Sequence, residues 1–214
     1  MATPDSARSS LEFTEEMKGF AEFGEKDFRR GLEAGKTSAS DLMFHLTIRI
    51  DDVDEFVSNP KHQGRADGYV QSSKLGGRCT VENGVFNLFV DAEDSSRKLM
   101  LYRLFFVNDK GEPSTLKGYK DVKDDPGFDP LEIWKDTTTL YTRILRGHVN
   151  EANEETAETV AAGMIFIQKL DFIKQLTTFK TAGPTPAHRA AAVAKFGKLF
   201  LGSLWDVYGV HLPS

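Results

Sequence analysis

The sequence predicts a mainly β fold: an antiparallel meander closed into a barrel or folded into a sandwich, with an amphipathic helix near the C-terminus. Three observations carry this. Apolar residues alternate with a period of two in several stretches, turn residues punctuate those stretches at short intervals, and one late stretch changes to helical spacing.

Taken in order, residues 1–10 are polar and small and read as a disordered leader, leaving 11–214 as a single domain. Leu11 to Phe20 reads as a short strand or an irregular arm. Residues 24–41 carry helix formers around Phe28 and Leu32 and read as a helix. The β region is expected to start at Leu42, where Leu42, Phe44, Leu46, Ile48 and Ile50 alternate with Met43, His45, Thr47 and Arg49. Asp51 to Asn59 reads as a helical turn capped by Asp52 and ended by Pro60. A strand through Tyr69 and a turn at Gly76-Gly77 follow.

Asn83-Gly84 is the strongest hairpin signal, because a type I′ turn needs positive φ at both central positions. It predicts pairing of 79–81 with 85–90. Lys98 to Val107 is apolar on both faces apart from Arg103, which asks for cover on both sides. Asn108-Asp109-Lys110-Gly111 turns the chain into Ser114–Lys123. Thr137 to Leu145 is rich in β-branched residues, and Val160 to Ile167 makes the last clear strand. Short connections imply that sequence neighbours pair. About eight strands joined this way must close, since long open edges invite aggregation.

Residues 150–158 read as an acidic loop and Asp171–Phe179 as a short helix. Helix 186–207 follows, with Thr185 as N-cap and Pro186 in the first turn. Val193, Phe196, Leu199, Phe200, Leu204 and Val207 share one face, which should lie across a sheet or plug a barrel mouth.

Composition narrows the function classes. A chain of 214 residues can bury one sizeable core. Its 16 Phe far outnumber its 5 Tyr and 2 Trp, and Phe builds a dry interior, either core or apolar pocket. Net charge is −5, with 27 basic residues scattered among 32 acidic ones, which argues against binding a phosphate backbone. A single cysteine, Cys79, excludes an internal disulfide and a cysteine-based zinc site, and reads as a small buried hydrophobe. The first ten residues lack the apolar core of a secretory signal. No apolar run approaches the ~18 residues that span a bilayer. A soluble, cytoplasmic protein is expected.

No motif completes a catalytic or cofactor site. Gly31-Leu32-Glu33-Ala34-Gly35-Lys36-Thr37 has three residues between its glycines where a phosphate loop needs four. His45, His62, His148, His188 and His211 make no i, i+4 metal pair; His45 reads as a satisfied or surface-facing strand residue. Asp91, Glu93 and Asp94 form one acidic loop, and Asp121, Asp124, Asp125 and Asp129 another around Pro126-Gly127. A meander places both at the same end, as calcium would require, although solvated carboxylates are the plainer reading. No metal and no cofactor is expected.

Several stretches together carry a likeness: Phe13-Thr14-Glu15-Glu16-Met17-Lys18-Gly19; Gly84-Val85-Phe86-Asn87-Leu88-Phe89-Val90; Asp124-Asp125-Pro126-Gly127-Phe128-Asp129; Trp134-Lys135-Asp136-Thr137-Thr138-Thr139-Leu140-Tyr141; Gln175-Leu176-Thr177-Thr178; and Leu204-Trp205-Asp206-Val207-Tyr208-Gly209. From about residue 11 to residue 209 the chain resembles the accessory domain of bacterial cholesterol-oxidase-type proteins, which are glucose-methanol-choline oxidoreductases. Their flavin-binding and hydrolase portions have no counterpart here. The resemblance implies a module that works with sterol or other lipid chemistry, beside an oxidoreductase partner. Of the shared residues, Lys120, Asp125, Asp136 and Tyr141 are candidates for function, whereas Pro126 and Gly127 fix a turn.

The leading reading is therefore a non-catalytic, lipocalin-like barrel or sandwich that binds an apolar small molecule, a sterol or another lipid. The expected pocket is Phe44, Leu46, Phe86, Leu88, Tyr102, Leu104, Phe106 and Tyr141. A small isomerase or cyclase using the same pocket, with Tyr or Asp/Lys as acid and base, is the second reading. A calcium- or partner-dependent docking module is the third.

Overall fold

The computed structural model describes residues 8–92, 97–123, 138–167 and 179–201. Eight strands pair antiparallel in sequence order: β1 (Ser10–Phe23), β2 (Asp41–Ile50), β3 (Gln63–Ser72), β4 (Gly77–Asp91), β5 (Arg97–Val107), β6 (Pro113–Lys123), β7 (Thr139–Arg146) and β8 (Thr159–Phe166). β8 returns to β1, from Lys18↔Phe166 to Phe23↔Ala161, and closes a barrel rather than a sandwich. A short β9 (Lys180–Ala182) pairs with Ser10–Glu12 of β1, below the stretch that β8 occupies. Closure removes the edges that eight alternating strands would otherwise expose.

The β region starts at β1, well before Leu42. Leu11, Phe13 and Met17 alternate into the core, but Glu15 shares their inward row and Glu12 and Glu16 flank it, so the carboxylates hide the strand. Residues 8–10, assigned to the leader by the sequence, are held in place: Val53 N donates to Ser9 O at 2.9 Å and Ser10 already pairs in the sheet.

Asn83-Gly84 does not form a hairpin, and 79–81 does not pair with 85–90. β4 runs straight through it, and Glu82 and Asn83 bulge opposite Asp67. Only Asn83 takes positive φ, +56°, with its N–H donating to Asp67 Oδ1 at 3.0 Å. Gly84 stays in the strand without positive φ, and a Cβ there would meet Ala66 O and Leu104. It is a glycine for close packing. The β3–β4 turn comes at Ser73–Leu75 with Gly76 at φ +82° and Gly77 at +109°, as the Gly76-Gly77 signal suggested. The pairings of β4 with β5 and of β5 with β6 agree with the sequence reading.

Among the described residues three α-helices dress the barrel: α1 (Phe28–Thr37), α2 (Val53–Ser58) and α3 (Pro186–Leu201). Asp27 caps α1, accepting from Arg30 N at 2.9 Å. The glycines that mimic a phosphate loop let α1 approach the barrel wall: a Cβ on Gly31 would collide with the Ala162 carbonyl, and one on Gly35 would press on Phe20 and Ala21. Asp52 caps α2 through Asp54 N and Glu55 N. Thr185 Oγ1 accepts from His188 N at the start of α3. Phe196 of α3 is 2% exposed and meets Phe13, Phe56 and Phe179, so α3 and α2 cover the barrel end where β1 begins. Leu204, Val207 and positions 171–178 of the expected short helix lie outside the described residues.

β5 is less covered than its sequence suggests. Met100, Tyr102, Leu104 and Phe106 are buried inside, while the outer Leu99, Leu101, Arg103 and Phe105 are half-buried. The segment after β7 straps across that outer face. Gly147 N donates to Pro113 O, Thr115 Oγ1 to Gly147 O, and Glu154 takes ion pairs from Arg103 and Lys117.

Candidate functional site

The bulge at Glu82-Asn83 has a consequence for the wall. β4 pairs with β5 from Asp91↔Lys98 only as far as Val85↔Arg103, whereas β3 holds β4 to its start at Ser72↔Gly77. Residues 77–83 therefore run without ladder pairing to the end of β5. The two sides meet again where Asp109 N donates to Leu75 O at 3.3 Å. Between these points lies a cleft of about 770 Å³, lined among others by Leu75, Cys79, Phe105, Phe106 and Val107. Leu75, Cys79 and Phe106 are buried at its base, and Val107 is 46% exposed at its rim.

The rim is polar and mixed in charge: Arg78, Glu82, Asn83, Asn108, Asp109, His148 and Asn150. The Arg78 guanidinium lies 3.9 Å above the Tyr69 ring, which fixes its position. His148 Nε2 sits 3.2 Å from Phe106 O. Burial pushes the Cys79 thiol above its ordinary range, and the Asp109 carboxylate adds to that, so this thiol is mainly protonated at neutral pH. An apolar base under a polar rim is the usual make-up of a small-molecule site.

A second feature lies deeper. Glu15, Tyr102 and Lys120 are each 2% exposed within the apolar core. Lys120 Nζ donates to Glu15 Oε1 at 2.5 Å, and Tyr102 Oη donates to Glu15 Oε2 at 2.7 Å. Burial, together with the Glu15 carboxylate, drives the Tyr102 phenol well above its ordinary pKa and keeps it a donor. Thr142, fully buried on the inner row of β7, has a side-chain oxygen without a hydrogen-bond partner among the described residues. A buried ion pair is weak as a stabiliser, because desolvation of two charges offsets their attraction.

Seven of the expected pocket residues, Phe44, Leu46, Phe86, Leu88, Tyr102, Leu104 and Phe106, do converge on one interior. They pack tightly there, with Tyr102 5.7 Å from Phe44 and 5.2 Å from Phe86 between ring centres. Only Phe106 of the seven also lines the cleft. Tyr141 does not join them. Leu140, Thr142 and Ile144 take the inner positions of β7, so Tyr141 faces outward and stacks on Tyr119 and Phe28. Lys120 is interior, and Asp125 and Asp136 lie outside the described residues.

His45 faces outward, 3.2 Å from Glu16 and stacked on Tyr69. Of the acidic loops, Asp91 pairs with Lys98 and Asp121 with Arg97; Glu93, Asp94, Asp124 and Asp129 lie outside the described residues. Among the described residues no group of three or more His, Cys, Asp or Glu is placed to hold a metal ion, and no helix is long and apolar enough to cross a membrane.

Glu15 and Thr142 escaped the sequence reading, yet each leaves a signal. Each is a polar residue on the apolar phase of an alternating row: Leu11-Phe13-Glu15-Met17 and Leu140-Thr142-Ile144. No protein-family model, no curated protein and no solved structure matches the chain.

Proposed function

We propose that this domain binds an apolar small molecule, a sterol or another lipid, seated in the cleft between β4 and β5. The cleft carries the reading. Its volume of about 770 Å³ falls inside the ~300–1,000 Å³ of small-molecule sites. Its base is apolar, and its polar rim suits the boundary between a lipid and water. The likeness to the accessory domain of cholesterol-oxidase-type proteins supports the same ligand class and a role beside an oxidoreductase. Two devices hold the opening: the Glu82-Asn83 bulge spreads the strands, and the Leu75–Asp109 contact limits the spread.

The test uses the neutral fluorescent probe N-phenyl-1-naphthylamine on the purified protein. Bright, saturable binding is expected, together with protection of Cys79 from a thiol reagent at an alkaline pH where its thiolate forms, since Cys79 lines the cleft. Saturable binding that leaves Cys79 reactivity unchanged places the ligand elsewhere and overturns this seat.

A further inference from the structure

The cleft is walled by two strand edges that do not pair across it. Val107 stands opposite Pro113 of β6, which has no N–H and whose carbonyl accepts from Gly147 N, so Val107 makes no ladder bond to β6. In an antiparallel ladder this phase repeats at every second residue. Phe105 and Val107 therefore turn their own N–H and C=O groups toward β4. On the far side, Leu88 N donates to His62 O, which sets the phase of β3: Gly68, Val70 and Ser72 bond β4 through Val81, Cys79 and Gly77. Arg78 and Thr80 lie between those three and turn their main-chain groups toward β5. β4 and β5 do not pair there, and all four residues line the cleft. Each edge thus offers donors and acceptors, and among the described residues no strand receives them.

We infer that the ligand of this cleft is an acyl amide, a secondary amide on an apolar chain, whose N–H bonds one strand edge and whose C=O bonds the other. This rests on the small-molecule reading above and specifies its ligand class.

Geometry selects the amide. Its N–H and C=O point in opposite directions across one rigid plane, as those of an added strand do, so a single group reaches both walls. A ketone or an ester only accepts, and leaves the carbonyls of the edges without a donor. A hydroxyl donates and accepts through one oxygen, so it serves one wall at a time. The walls converge at both ends, at the Val85↔Arg103 pair and at the Asp109–Leu75 contact, which suits a short polar group rather than a long strand. The chain has its own place. Leu75, Cys79 and Phe106 are buried at the base. Cys79 and Phe106 alternate with the edge residues along their strands, so chain and amide are received side by side.

Competition against N-phenyl-1-naphthylamine with N-methyldodecanamide, N,N-dimethyldodecanamide, dodecanol and acetyl-trialanine N-methylamide tests this on the purified protein. The dimethyl compound keeps the chain and the carbonyl and exchanges the N–H for a methyl. The peptide has amides and no chain. The secondary amide should displace the probe about three- to tenfold better than the tertiary amide or dodecanol, the yield of one added hydrogen bond. The peptide should not displace it. In hydrogen exchange followed by NMR, the amides of Arg78, Thr80, Phe105 and Val107 should exchange faster in the free protein than those of Cys79, Leu104 and Phe106, which bond β3 or β6. Equal protection of the two sets means that the edges are closed in solution and overturns the inference. Equal displacement by the secondary and tertiary amides, or by dodecanol, also overturns it and leaves the cleft reading standing. Displacement by the peptide as strong as by the secondary amide overturns it in favour of strand docking. If none of the three chain compounds displaces the probe, or the probe itself does not bind, both readings fall.

Discussion

Replacing Lys120 by Met removes the cation that faces Glu15 in the core and leaves that carboxylate, among the described residues, with the Tyr102 hydroxyl as its donor. Breaking a buried pair from one side costs roughly 3–5 kcal/mol. In a domain of this size each kcal/mol moves Tm by roughly 2–4 °C, so Lys120→Met should melt about 6–20 °C below the wild type. The informative comparison removes the whole set. In Glu15→Leu/Lys120→Met the Tyr102 hydroxyl would lose its acceptor, a further penalty of roughly 1–3 kcal/mol, so Tyr102→Phe is added. Apolar replacement of a complete buried ion pair is often neutral or stabilising by roughly 1–4 kcal/mol. The triple variant should therefore equal or exceed the wild type in urea unfolding followed by circular dichroism, with an unchanged m-value. A triple variant several kcal/mol less stable than the wild type, while still cooperative, would show that the set holds the fold together and would refute this reasoning.

Thr142→Val removes a buried hydroxyl without a partner and should raise unliganded stability by roughly 1–3 kcal/mol; a fall in the urea midpoint would mean that the hydroxyl is satisfied in solution. Cys79 alkylation by iodoacetamide should be slow at pH 7–8 and accelerate only above the ordinary thiol range, because burial raises its pKa; a fast reaction at pH 7 would contradict that environment. The Tyr102 phenol is raised in the fold, so its contribution to stability is intact below the unfolded pKa of ~10 and declines as pH climbs above it. Tyr102→Phe should flatten that alkaline decline in a pH series of urea midpoints, and an identical slope would refute the assignment. Gly84→Val should destabilise the barrel strongly by thermal melting, since the added Cβ meets Ala66 O and Leu104; a tolerated valine would refute the close packing at this position.

The fold was readable wherever alternation was clean. β2, β5 and β8 announce themselves because their inner rows are apolar without interruption, and α3 because Thr185-Pro186 precedes a helical stripe. β1 was blurred by the same residue that makes it interesting: Glu15 breaks the apolar row, and only closure of the barrel supplies it with Lys120 and Tyr102 from strands far along the chain. Asn83-Gly84 misled because local turn chemistry was outweighed by tertiary packing. The true turn at Gly76-Gly77 leaves β4 long, and the bulge absorbs the positive φ that Asn tolerates. Tyr141 was misplaced because its register is fixed by Tyr119↔Tyr141 pairing, which period-two reading of a β-branched stretch does not supply. The cleft itself had no local signature, since it arises where two strands stop pairing.

The most direct test is an amide-resolved NMR titration of the isotopically labelled protein with N-phenyl-1-naphthylamine. A ligand seated between β4 and β5 should perturb the amides of Leu75 to Asn83 and Phe105 to Asp109 most, in a saturable manner. Perturbations confined to the opposite wall, where α1 packs on β1 and β8, or no perturbation at saturating probe, would contradict it.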